Sequence, residues 1–119
     1  MKITKLSGLA AIALIGATAA ADAPSPAVTW AGCAGALVAS AMLSDDKART
    51  PELQSLARRA LAKAKVAENP QGLTETQIEG LAMSTARTYL DDARAKPEQR
   101  AKLDSLAASC AGLAVKLPD

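Results

Sequence analysis

The chain has 119 residues, the length of one small domain, and half of them are hydrophobic although only 2% are aromatic. It contains no histidine and no phenylalanine, which removes the commonest general base and the usual partner of a serine or cysteine nucleophile. The formal charge of +2 comes entirely from Lys2 and Lys5, so residues 22–119 balance 12 acidic with 12 basic side chains and carry no net charge to attract nucleic acid or a membrane surface.

The first 21 residues predict a secretory signal peptide. Lys2 and Lys5 form a basic start, and an apolar run extends from Leu6 to Ala20. Ala19-Ala20-Ala21 before Asp22 fits the small-x-small cleavage rule, and Ala17 with Ala19 offers a second cut. The expected organisation is a signal peptide over 1–21, a linker over 22–27 and a helical bundle domain over 28–119. The implied location is periplasmic or secreted, with no stable membrane insertion after cleavage.

Within the linker, Ser25-Pro26 can open a first helix, with serine as N-cap and proline in the first turn. That helix runs to about Ser44 and is apolar almost all round, through Val28, Trp30, Leu37, Val38 and Leu43. Such a helix is central or covered on two sides. Trp30 is a core residue or, if exposed, an anchor for a partner. A homodimer through this helix is the corresponding minority expectation.

Asp45-Asp46-Lys47 breaks the pattern and reads as a capping and linker element. Thr50-Pro51-Glu52 is the next helix start, followed by Leu53, Leu56, Ala57, Ala60, Leu61 and Ala64 at helical spacing. Between residues 47 and 65 six cations face only Glu52. Arg58, Arg59, Lys63 and Lys65 are therefore candidate contacts for an anion or a partner: a phospholipid head group, a glycan carboxylate or an acidic protein. A solvated face whose cations suit the C-terminal end of the helix dipole is the plainer reading.

Asn69-Pro70-Gln71-Gly72 is a turn. Thr74 and Gln77 then have capping-box spacing, and Leu73 and Ile78 that of a hydrophobic staple. Ile78, Leu81, Ala82, Thr85, Ala86, Tyr89, Leu90 and Ala93 share one helical face. Lys96-Pro97-Glu98 restarts the chain, and the last helix places Leu103, Leu106, Ala107, Cys110 and Ala114 on a core stripe.

Of the residues, 29 are alanine, which favours helix but buries little area, so a thin core in need of a staple is expected. Cys33 and Cys110 supply one if the chain is exported: two cysteines allow a single intramolecular disulfide. Two buried thiols, a metal site and lipidation at Cys33 are the alternatives. Two sulfurs without histidine cannot complete a zinc shell unless carboxylates join them.

Enzyme signatures are missing. Asp45-Asp46 and Asp91-Asp92 are neighbours in sequence, which on a helix point about 100° apart and make poor acid/base pairs. No catalytic residue, cofactor or metal site is expected. The reading is an all-α, four-helix up-down bundle stapled by Cys33–Cys110. It would serve as a small non-enzymatic binding, adaptor or inhibitor protein, acting through a helical surface on a protein partner in the cell envelope.

Trp30 and Cys33, with the exported helical outline and the single disulfide, resemble the small periplasmic acid-stress chaperones of the HdeA type. The tryptophan and cysteine here stand one residue further apart than that family's Trp-x-Cys, and the two cysteines are separated by a longer stretch of chain. The resemblance is one of architecture rather than motif. It implies acid-triggered monomer formation and exposure of apolar surface.

Overall fold

The computed structural model describes residues 24–118, and the signal peptide expected over 1–21 lies outside them. Four helices follow one another: α1 Pro26–Leu43, α2 Arg49–Val66, α3 Glu75–Ala95 and α4 Pro97–Ala114. No strand occurs among the described residues. α1 packs most extensively against α2 and α3, while α2 and α3 meet each other only slightly.

Local hydrogen bonds set most of the helix ends. Ser25 caps α1 by accepting from the Val28 N–H at 3.3 Å, and Pro26 occupies the first turn where no backbone donor is needed. The helix thus takes in Pro26 and Ala27 from the expected linker. Thr74 and Gln77 form the full capping box of α3: the Gln77 N–H donates to Thr74 Oγ1 at 3.1 Å and the Thr74 N–H to Gln77 Oε1 at 2.8 Å. In the turn before it, Asn69 holds both backbone groups of Leu73, donating to its carbonyl and accepting from its N–H. Gly72 takes the positive φ of 68° that a side chain would resist.

The start of α2 differs from expectation. The helix begins at Arg49, so Thr50 lies inside it rather than capping it. Asp46 does the anchoring: its carboxylate accepts from the Ala48 N–H at 3.0 Å, and its carbonyl accepts from the N–H groups of Arg49 and Thr50. The Thr50 hydroxyl is a donor to that same carbonyl. Asp46, four residues before Thr50, engages the backbone N–H groups of Ala48, Arg49 and Thr50, which leaves threonine no capping role.

α1 is the hub. It packs against all three other helices and buries nine of its residues, most of them alanine. Its composition would also pass for a membrane span, with a mean hydropathy of 1.5, but half of the helix is covered by its neighbours within this fold. The contact with α3 is especially close at Gly35. A Cβ built there would lie 2.7 Å from the Ala82 carbonyl oxygen and 3.0 Å from the Ala86 nitrogen, so only glycine fits. Small residues at i and i+4 on both helices, Ala31 and Ala39 beside Gly35 and Ala82 with Ala86 opposite, allow this approach.

Two hydrophobic clusters result. The larger joins all four helices around Leu37, Leu53, Ile78 and Cys110, and Trp30 packs half-buried against it. The smaller gathers Ala36, Ala39, Leu90 and Leu103 near the C-terminal end of α1, flanked by Leu43 and Tyr89. On α4 the buried residues are Leu103, Ala107, Cys110 and Ala114, a seam one side chain wide. Leu106, expected on this stripe, stands to one side of it and is 37% exposed.

The disulfide Cys33–Cys110 is formed across a Cα–Cα distance of 5.4 Å and joins α1 to α4 over 77 residues of chain. Arg100 adds a second tie between the same helices. Its guanidinium donates to the Leu43 carbonyl at 3.3 Å, one of the acceptors that the end of α1 leaves open, and also reaches Asp104.

Candidate functional site

Along α2 the chain places Ser55, Arg58, Arg59, Ala62, Lys63 and Val66 on one side of the helix, at the three- and four-residue spacing that makes a continuous face. Small residues at 55 and 62 keep its floor low. Beyond α4 the chain winds through a last turn, with the Leu117 N–H donating to the Ala114 carbonyl at 3.0 Å, and the side chain of Leu117 packs against the core. Leu117 and Pro118 then stand opposite the α2 face. Between these two walls lies a groove of about 760 Å³, partly open to solvent. That volume falls within the range of small-molecule and peptide side-chain pockets.

Three of the four cations singled out on α2 meet in this groove: Arg58, Arg59 and Lys63. Arg58 and Lys63 are exposed and Arg59 is half-buried. Among the described residues neither Arg58 nor Lys63 has a hydrogen-bond or ion-pair partner. The apolar remainder of the lining is Val66, 79% exposed, with Leu117 and Pro118. The groove is thus basic towards the middle of α2 and apolar where α2 ends.

Lys65 is drawn elsewhere. Its ammonium donates to Glu79 on α3 at 2.6 Å. That hydrogen bond holds its pKa above the ordinary lysine value, against the opposing pull of burial. Sequence spacing alone could not separate Lys65 from Lys63, because the difference comes from a carboxylate on another helix. It also missed Leu117 and Pro118, which follow the last periodic stripe.

A second cleft, of about 380 Å³, lies at the opposite end of the bundle among Ser44, Asp46, Arg49, Arg100 and Asp104. Its charges are of both signs: Arg100 pairs with Asp104 at 3.4 Å, and the Asp46 carboxylate accepts from the Ala48 N–H. Asp91 and Asp92 are exposed on α3. Among the described residues no three His, Cys, Asp or Glu side chains converge as a metal ion would require.

Compared with known proteins, the chain matches no family model, no curated protein and no solved structure.

Proposed function

We propose that this chain is a small exported, non-enzymatic binding or adaptor protein that engages a protein partner in the cell envelope through the groove between α2 and the segment after α4. One observation carries the reading: among the described residues Arg58 and Lys63 stand exposed and without partners, beside Val66, Leu117 and Pro118 in a groove of about 760 Å³. Lys65 on the same helix is by contrast engaged by Glu79. Export is supported by the Cys33–Cys110 disulfide, a bond that persists in oxidising compartments, and by the signal-like start of the sequence. The non-enzymatic reading rests on the sequence, which has no histidine to serve as a general base.

In-cell crosslinking of the tagged chain, followed by mass spectrometry, tests the proposal. The expected outcome is one dominant envelope protein whose capture is lost in Arg58→Glu/Lys63→Glu. Capture that persists unchanged in the double variant would remove the groove from the function. A broad spread of unrelated proteins that grows on acidification would favour the chaperone behaviour implied by the HdeA-type resemblance instead.

A further inference from the structure

We propose that the occupant of the α2 groove is an acidic amphipathic helix of the partner, with carboxylates one helical turn apart and an apolar residue about one turn beyond them. The inference rests on the reading of the groove as the binding site and specifies the chemistry it takes.

The positive charge comes first. Of the six cations between residues 47 and 65, Lys65 is neutralised by Glu79, whereas Arg58 and Lys63 project into the groove and Arg59 lines it. Arg58 and Lys63 are five residues apart, about 7.5 Å along the axis of α2, and stand on opposite edges of its groove face. Carboxylates at i and i+4 of a partner helix lie about 6 Å apart along its axis, a separation that the long side chains of Arg58 and Lys63 reach from the two edges. Val66 lies about 4.5 Å further on, and there Leu117 and Pro118 face it. An apolar side chain one turn past the second carboxylate reaches that end.

The backbone decides between a helix and an extended strand. The lining residues on α2 have their N–H and C=O groups engaged within the helix, and no sheet edge exists among the described residues. An extended peptide laid here would find no backbone partners and would rely on water for its own. A helix arrives with its backbone already paired and needs only side-chain contacts, the helix-in-groove mode of recognition. A lipid surface fits less well. It is flat and would meet the rim cations, while the floor at Ser55 and Ala62 stayed unfilled.

The test uses the full-length oxidised protein and a labelled synthetic peptide of about 16 residues, long enough to become helical on docking. The peptide carries Glu at i and i+4 and Leu at i+8. Two control peptides replace Glu by Lys or Leu by Ser. Fluorescence anisotropy at low salt should show saturable binding of the Glu/Leu peptide alone. Binding should weaken about tenfold or more in Arg58→Glu/Lys63→Glu and fall at high salt, as exposed ion pairs require. The Lys/Leu peptide should bind the double variant better than it binds the native protein. Val66→Ser should weaken binding while leaving its salt dependence intact. Far-ultraviolet circular dichroism and the absence of free thiols check that each variant is folded.

Equal binding of the Glu and Lys peptides, or no saturable binding of any of them, would overturn the inference. So would Arg58- and Lys63-dependent binding to phosphatidylglycerol vesicles without peptide binding, which would assign the groove to a lipid surface. If the crosslinked partner still depends on Arg58 and Lys63 when the peptides fail, the groove remains the site and only the helical acidic ligand is lost. If both fail, the groove itself is wrong.

Discussion

The two helices joined by the disulfide are held in different ways. α1 buries nine of its eighteen residues and packs most extensively against the other helices, whereas α4, of equal length, buries four in a single seam and leaves Leu106 and Leu113 partly or well exposed. α1 is fixed by close non-covalent contact, at its tightest where Gly35 meets the backbone of α3. α4 depends on Cys110, Leu103 and the reach of Arg100 to the end of α1. In an alanine-rich chain each buried side chain contributes little, so an outer helix gains too little from its seam alone and a covalent tie makes up the difference. The dependence reaches the groove, because Leu117 and Pro118 follow α4 by a few residues.

Removing the tie should have the largest effect. Cys33→Ala/Cys110→Ala opens a loop of 77 residues and should cost about 4 kcal/mol of stability in urea unfolding. Hydrogen exchange should show the loss first in α4, and equal loss of protection in α1 would break the comparison. Next comes Leu37→Ala, which truncates a fully buried side chain of α1 and should cost about 3 kcal/mol. Gly35→Ala should cost about 2 kcal/mol, since the new methyl meets the Ala82 carbonyl and α1 and α3 must part to admit it. A neutral result would show that the crossing is looser than 2.7 Å suggests. On α4, Leu113→Ala removes a side chain that is 53% exposed and should change stability by about 0.5 kcal/mol or less. A cost near that of Leu37→Ala would mean that α4 is covered by something outside the chain.

The smallest effect lies off both helices, at the ion pair between α2 and α3. Because the pKa of Lys65 is raised on folding, its contribution is complete below the unfolded lysine value, about pH 10.4, and disappears as pH rises through the higher folded value. Thermal unfolding of Glu79→Gln should therefore run slightly below the native protein at neutral pH and coincide with it in strong alkali. A gap that widens with alkali would reverse the sign and remove the ion pair as its source.

The local signals of the sequence proved dependable where a hydrogen bond joins neighbours. The Ser25 cap, the Thr74–Gln77 box and the turn at Asn69–Gly72 all formed as their spacing predicts. The start of α2 was misplaced because Asp46, outside the helix, takes the N–H groups of Ala48, Arg49 and Thr50, so Thr50 lies within the first turn. Leu106 was misplaced for another reason. A helix admits a wide or a narrow buried stripe, and the width on α4 is set by how closely α1 and the other helices approach. On α2 the cations were visible as a group, but their separation into a paired Lys65 and an exposed Arg58 and Lys63 needed Glu79 and the chain after α4.

By itself the sequence determined the helical class, the number of helices, most of their ends and the one disulfide pairing open to two cysteines. Each of these rests on residue type or on contacts within a few positions. The all-round apolar first helix already pointed to a central place, but the tertiary structure alone decided that Gly35 lies against the backbone of α3 and that Leu117 and Pro118 stand across a groove from Arg58 and Lys63. Burial and charge pairing between helices depend on which faces meet, and in a chain so rich in alanine many faces look alike until the helices are docked.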